Sequence, residues 1–563
     1  MEASRESASG RSRAIIVAVG IFISRIFGLL RWSLIARYFA VGPHADVLKA
    51  AFSVPNLLQN LLGEGTLSAA FVPVYSRMLE EGRTRDAGRF AGSIFGLLLV
   101  VVSASVLLGM VLAHPICWIL MRGFAQDAAG VSTAVDRLAL ATDMVRLAFP
   151  MAGLLVLSAW ALGVLNSHRR FLVPYLAPVA WNVAIISALL IAGTMAGLDP
   201  SHTAAVSGEK ISLDALTRVL KAAFLGGLLG GALQLLVQLP FVARVIRGFR
   251  LSWSMQLDGV RTALRAAGPA IAGRGVAQLS AWMDLWLASF LVVGAVAALA
   301  YAQVLYLLPI SLFGMSVAAA ELPELSRFGR SNLQQLTGRL EQGLGQGLLL
   351  VVPTALGYLT LGYAIVGGIY GGGLFGADDT LLTYSVLATY SLGLVATVSS
   401  RLMHNGFWAL GDTRTPARMA GVRLAVSVAV AVPAMLLLDT LPLAGLSAFG
   451  ASPLFFGAAG LALGSAVAAW VEFGFLLRAL ARKLERPVMP WRRVGVMVLM
   501  AVAAALPAAG LWYLVSAWSP VAQAVAVVAV FGALYLLLAS RYCPAELRAW
   551  SGRLARRVGP KKR

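Results

Sequence analysis

The sequence predicts an all-α polytopic membrane protein of about fourteen transmembrane helices, and three observations lead there. Of the 563 residues, 59% are hydrophobic and only 13% are charged, outside the range of soluble multidomain chains. Apolar runs recur from Ala14 to Leu538 with only short polar breaks, each near the ~20 residues a helix needs to cross a bilayer. No interval between them offers room for a soluble domain.

In chain order, the predicted spans centre near Phe22, Leu62, Val101, Leu155, Ile185, Leu229, Trp282, Phe313, Val351, Leu392, Val428, Leu463, Ala503 and Val528. The opening stretch "MEASRESASGRSRAIIVAVGIF" has a basic flank. Its apolar run lacks a small-residue cleavage site and outlasts a signal peptide, so it reads as an uncleaved first span. The spans around Leu62 and Phe313 are amphipathic and contain glycine. The predicted organisation is a cytoplasmic segment over 1–13, six spans over 14–247, six over 259–482, a further pair over 490–541 and a basic cytoplasmic tail over 542–563.

A net charge of +21 would suggest nucleic acid in a soluble protein, but here the cations sort into alternate loops. "SRMLEEGRTRDAGR", "NSHRR", "RVIRGFR", "SRFGR", "GDTRTPAR", "RALARKLERP" and the tail "RAWSGRLARRVGPKKR" are basic, whereas "VGPHAD", "AGLDPSHTAAVSGEK" and "GGGLFGADDT" are neutral or acidic. The positive-inside rule then puts both termini in the cytoplasm. The tail reads as a helix solvated at the membrane surface or held by anionic lipid, and no nucleic-acid partner is expected. Cys117 and Cys543, the two cysteines, lie far apart and make neither a metal pattern nor a disulfide framework. No metal or cofactor is expected, and five histidines with few intramembrane carboxylates provide no acid/base pair for an enzyme.

Two segments resemble each other: "SAAFVPVYSRM" from Ser68 and "AAAELPELSRF" from Ala318. Pro73 matches Pro323, and Ser76-Arg77 matches Ser326-Arg327. Each ends at a basic loop after an amphipathic span, so duplication predicts two six-helix lobes repeated in parallel. A transporter with a cleft between the halves follows from that arrangement.

Charges within the spans are the candidate functional residues. An arginine at mid-helix costs roughly 2.5–3.5 kcal/mol on insertion scales and usually faces a cavity or a partner. "FISRIFGLLRWSLIARYF" holds Arg25, Arg31 and Arg37. On a straight helix Arg25 and Arg31 stand about 120° apart and about 9 Å along the axis, so the three cannot form one stripe. Arg37 reads as a snorkelling anchor, and Arg25 and Arg31 as cavity cations. Glu64, between two glycines in "LLGEGTLS", is the nearest acidic counterpart. Asp46, at the start of the second span, suits a helix N-terminus. Arg274 sits near the repeat's equivalent of Arg25, and Asp284 follows ten residues later on roughly the same face. The two can line one cavity wall. More arginine than carboxylate suits an anion, phosphate above all, through the planar bidentate fork.

The stretch "SRIFGLLRWSLIARYFAVGPHADVLKAAFSVPNLLQNLLGEGTLSAAFVPVYSR" resembles the opening signature of the MurJ/MviN lipid II flippases, members of the multidrug/oligosaccharidyl-lipid/polysaccharide exporter superfamily. "QLSAWMDLWLAS", "LAYAQVLYLLPISLFGMSVAAAELPELSR" and "FWALGDTRTPAR" follow in the family's order, so the resemblance covers about residues 14–480; the last two spans match in hydrophobic character alone. It implies two lobes around a cationic central cavity, two extra C-terminal helices forming a groove for a lipid tail, and export of undecaprenyl-pyrophosphate-linked disaccharide-pentapeptide for peptidoglycan synthesis in the bacterial cytoplasmic membrane. Lipid II, membrane lipids and cell-wall synthesis proteins are the partners it implies. Matching cavity and gate positions are Arg25, Arg31, Asp46 and Glu64, and Arg401 in "SSRLMHNGFWAL" falls where the family often has a lysine.

Two departures stand out. The family's "NLLR" is "NLLQ" here, with Gln59, and "YADRL" is "YAQVL", with Gln303 and Val304. Two expected cations are missing, and Arg274 is the candidate to replace one. The expected function is therefore lipid II flipping by alternating access. Transport of another polyprenyl-pyrophosphate-linked glycan and a non-transporting cell-wall scaffold are the alternatives.

Overall fold

The computed structural model describes residues 2–129, 135–200, 212–328, 332–446 and 453–548. Most of the basic tail and part of the "AGLDPSHTAAVSGEK" loop lie outside them. The chain divides into two compact units, Met1–Phe290 and Leu291–Arg563. With no water in the hydrocarbon to pair N–H and C=O groups, an apolar chain closes its hydrogen bonds within helices, and helices build both units.

The first unit contains α1 (Glu2–Phe39), α2 (Pro43–Ser53), α3 (Asn56–Leu62), α4 (Glu64–Ala70), α5 (Val72–Glu80), α6 (Thr84–Val111), α7 (Ala113–Leu120), α8 (Arg137–Ser167), α9 (Leu172–Met195), α10 (Leu213–Val245) and α11 (Val260–Ser289). Helix α8 is apolar nearly all round, as a helix enclosed by others must be. It is the most enclosed span, with 72% of its most apolar window buried against 22% for α6. Helices α6 and α10 pack on it, and α9 joins α1 to α10. Inside this bundle Ser158 of α8 accepts from Gln238 and Gln234 of α10, at 2.6 and 3.1 Å. Such polar contacts hold helices together where lipid supplies no hydrophobic drive.

The span expected around Leu62 is instead four short helices, α2 to α5. Pro55 caps α3 and Pro73 opens α5, each without an N–H to continue the preceding turn. Between α3 and α4, Gly63 is extended (φ −82°, ψ −151°) and donates to Gln59 O at 2.9 Å. A Cβ there would collide with that same carbonyl, so the break requires glycine.

The segment after α10, residues 246–259, runs along α6. The backbone carbonyls of Arg247, Arg250 and Ser252 lie where Cβ atoms on Gly88, Gly92 and Gly96 would stand. Ser93 and Ser252 share a hydroxyl hydrogen bond of 2.5 Å, and Arg83 holds Asp258 at 3.0 Å. Helix α11, expected to open the second lobe at 259, packs against α3 and α4. Its C-terminal end is tied to the turn after α7, where Gly123 N donates to Ser289 Oγ at 3.1 Å. The first unit accordingly extends through Phe290.

The second unit contains α12 (Ala295–Pro309), a π-helical segment (Ile310–Met315), α13 (Ser316–Phe328), α14 (Leu333–Tyr370), α15 (Ala377–Leu392), α16 (Leu394–Ala409), α17 (Arg414–Leu438), α18 (Gly457–Leu484), α19 (Trp491–Leu514) and α20 (Pro520–Tyr542). Helices α17 and α18 pair closely, while α14 receives α15, α19 and α20. Antiparallel strands β1 (Pro442–Leu446) and β2 (Pro453–Phe455) join α17 to α18. Tyr535 of α20 donates to Leu349 O of α14 at 2.7 Å, and Arg493 of α19 pairs with Glu546 at 2.8 Å.

Among the described residues, eleven helices are long and apolar enough to cross a membrane, or twelve when α15 and α16, bent by 41°, count as one span. The expected count of fourteen therefore is not reached on length and composition. The broken α2–α5 stretch and α11 account for the difference. Helix α11 has the length, at 30 residues, but carries Arg261, Arg265, Arg274 and Asp284.

Candidate substrate-binding site

In the first unit a cavity of about 170 Å³ opens between α1, α2, α3, α8 and α9. Arg31 and Trp32 of α1, Lys49 and Ser53 of α2, Asn56 and Gln59 of α3, and Trp181 of α9 form its polar side. Leu48, Phe52, Met151 and Leu155 are among its apolar walls. Among the described residues, no carboxylate lines it.

The Arg31 guanidinium lies 4.3 Å above the Trp181 ring and 5.8 Å from that of Trp32. Its Nη1 is buried without a hydrogen-bond partner. A π face attracts a cation without consuming its N–H donors, so the charge is held while its hydrogen-bonding capacity stays available. Lys49 stands one helical turn before Ser53, whose hydroxyl donates to Lys49 O at 2.8 Å. The break at Pro55 turns the chain so that α3 presents Asn56 and Gln59 to the same space. Two cations and the amides of Asn56 and Gln59 thus face a volume that suits a phosphoryl group.

Of the residues expected to bind substrate, Arg31 and Gln59 meet in this cavity. Lys49, overlooked in the sequence, is its second cation; the available signal was a lysine in the otherwise apolar turn of "ADVLKAAF". Arg25 is exposed on α1 and does not line the cavity. Arg37 is half-buried with its Nε unpartnered.

Asp46 departs from its expected place in the cavity. Its carboxylate is fully buried and accepts from Arg137 of α8 at 2.9 Å. Arg137 is itself 3% exposed and lies 4.3 Å over the Phe124 ring. A charge removed from water needs an opposite charge close by, and that requirement draws Asp46 into the packing between α2 and α8.

A second group forms where α11 meets α3 and α4. Arg274 donates to Asn60 O at 3.5 Å, and Asn60 Nδ2 donates to Gln278 Oε1 at 2.6 Å. The Arg274 guanidinium fills the space a Cβ on Gly65 would take. Its charge acts on neighbouring Glu64, so these two expected residues are brought together. Neither lines the Arg31 cavity, where Lys49 rather than Arg274 adds the second charge. Asp284 is exposed farther along α11.

Arg401 lies in the second unit, exposed on α16, with Arg423 and Glu472 as electrostatic neighbours. Glu472 accepts from Arg423 at 2.9 Å and lies 3.3 Å from His404. Among the described residues, no cluster of His, Cys, Asp and Glu is arranged to hold a metal ion.

Residues 35–532 match the family described as "Lipid II flippase MurJ", so the likeness extends into the last two spans, beyond the motifs that end near residue 480. A probable lipid II flippase MurJ of Rhizobium tropici is 30% identical over 500 residues, covering 88% of this chain and 85% of the relative. A lipid II flippase MurJ of Burkholderia cenocepacia is 30% identical over 508 residues, covering 89% of each. Among solved structures, a lipid II flippase MurJ in an inward closed conformation has the same fold, with a TM-score of 0.70, 23% identity, and coverage of 95% of this chain and all of the other. A multidrug resistance MATE transporter of the MOP superfamily, inward-facing, aligns at a TM-score of 0.56 and 15% identity over 84% of this chain and 99% of the other. The chain belongs to the MurJ lipid II flippase family of multi-pass membrane proteins.

Proposed function

We propose that this protein moves lipid II from the inner to the outer leaflet of the bacterial cytoplasmic membrane by alternating access, with both termini in the cytoplasm. One observation carries the reading to particular residues: Arg31 and Lys49 converge on a cavity without a carboxylate, and Arg31 keeps an unpartnered N–H. The pyrophosphate of lipid II is the anionic group such a cavity accepts, through charge-assisted hydrogen bonds from the guanidinium fork and the ammonium. Arg25 and the Arg274–Glu64 group extend the polar path in the first unit, and Arg401 is the counterpart cation in the second. Asp284 belongs to the same polar surface of α11. The lipid tail stays in the bilayer while the head group crosses, so the protein moves its substrate without breaking a bond in it. An inside-negative potential assists, since each charge moved through 100 mV contributes about 2.3 kcal/mol and the pyrophosphate carries about two.

Transport of another polyprenyl-pyrophosphate-linked glycan is the second reading, favoured by Gln59. It lines the cavity with a neutral amide where the family has arginine. Complementation of a flippase-depleted strain tests the first reading. The wild-type chain restores lipid II translocation, whereas Arg31→Ala and Lys49→Ala insert normally and do not. Failure of the inserted wild type would exclude lipid II as substrate, and full activity of both variants would remove the cavity from the mechanism.

A further inference from the structure

We infer that Trp181 is a positioning residue of this anion site, rather than apolar filling between α9 and its neighbours. The inference rests on the reading of the cavity as a phosphate site and adds a residue that no sequence motif singled out. A lone guanidinium within a membrane protein usually finds a carboxylate or carbonyl, which then competes with any ligand. Arg31 finds a ring face instead, at 4.3 Å, and its buried Nη1 remains unpartnered. Trp181 Nε1 is likewise buried and unpartnered, so packing and not a hydrogen bond fixes the ring at this cavity wall.

The ring is held in place by its surroundings. Gly230 of α10 lies against it, for a Cβ there would meet the Trp181 Cα at 2.9 Å and Cδ1 at 3.0 Å. Phe52 of α2 meets it edge-on at 6.4 Å and stacks on Phe224 at 4.5 Å. Trp181 is therefore wedged against α10 and α2 while its face receives α1. This geometry restricts Arg31 to one wall of the cavity and leaves its donors to an incoming phosphoryl oxygen.

The test is a double-mutant cycle on the purified full chain in nanodiscs of phosphatidylethanolamine and phosphatidylglycerol, titrated with inorganic pyrophosphate. A cation–π contact in a partly desolvated site corresponds to about a 5- to 30-fold change in affinity. Trp181→Leu is expected to weaken binding by that factor in the wild-type background and to add nothing once Arg31→Ala is present. Trp181→Phe, which keeps a ring face, retains most of the affinity. A Trp181→Leu effect that persists undiminished in the Arg31→Ala background would overturn the inference, as would equal losses for Phe and Leu or no loss for Leu. If wild type does not bind pyrophosphate, or binds it independently of Arg31, the phosphate-site reading itself fails and this inference with it.

Discussion

The ion pair between Asp46 and Arg137 makes a quantitative prediction that separates a packing role from a transport role. Replacing Asp46 by leucine removes the carboxylate 2.9 Å from a guanidinium that is only 3% exposed. Truncating one partner of such a buried pair destabilises by about 3–5 kcal/mol, mostly because the remaining charge is left in a medium that solvates it poorly. The ring of Phe124, 4.3 Å from the same guanidinium, offsets part of this loss, so the lower end of the range is expected. Replacing both partners, Asp46→Leu with Arg137→Met, removes both buried charges and should recover part of the stability. Thermal unfolding of the detergent-solubilised protein can be followed with a thiol-reactive dye, because Cys117 and Cys543 are both buried and become reactive only on opening. The single variant should melt well below wild type and the double variant above the single one. A single variant that melts like wild type yet fails to translocate substrate would refute the structural reading and return Asp46 to the transport path.

Three further perturbations follow from close contacts elsewhere. Gly65→Val places side-chain atoms where the Arg274 guanidinium lies, so it should displace Arg274 and match the activity loss of Arg274→Ala in complementation; unchanged activity in both would exclude this group from the path. Gly92→Val drives a side chain into the Arg250 carbonyl and should detach the segment along α6, seen as faster trypsin cleavage after Arg247 and Arg250, while Gly268→Val, with open space around it, leaves the cleavage rate unchanged. In the loop before α17, hydrogen bonds from Lys483 at 2.5 Å and from Thr415 hold the Asp412 carboxyl well below the usual carboxylate range. A depressed folded-state pKa contributes stability above the unfolded value and loses it as pH falls below about 4. Lys483→Met should therefore lower the melting point slightly near neutral pH, by the worth of an exposed pair, at most about 1 kcal/mol; the difference from wild type should shrink in acid, and a difference that grew there would contradict the assignment.

Hydropathy located most of the spans because side-chain transfer sums over the local apolar run, and the cost of unsatisfied backbone groups in lipid makes any such run a helix. That is why α6, α8, α9, α10, α14, α17, α18, α19 and α20 each contain an expected centre. The same averaging gives a single span around Leu62, although Pro55 and Gly63 are visible there as breakers. It also marked α11 as a span, although its charges take it below the apolarity of the others. At the site, Arg31 was legible from its insertion cost, and Gln59 from its departure from a family motif. Lys49 carries the same cost, but only the fold shows that it faces the space of Arg31.

What the sequence determined by itself was class and family: an apolar, helical, multi-pass chain with ordered MurJ motifs and a small set of charges that lipid would not tolerate unaided. Which charge serves which end was decided only by tertiary structure. Asp46 became half of a buried pair because Arg137 of α8 faces it, and Arg31 kept its donors because α9 presents the ring of Trp181 in place of a carboxylate. The physical reason is one of range. Hydrophobic transfer sums over neighbours along the chain, whereas the fate of a buried charge depends on the one or two groups within about 4 Å of it, and those groups come from distant helices whose rotation the local sequence does not set.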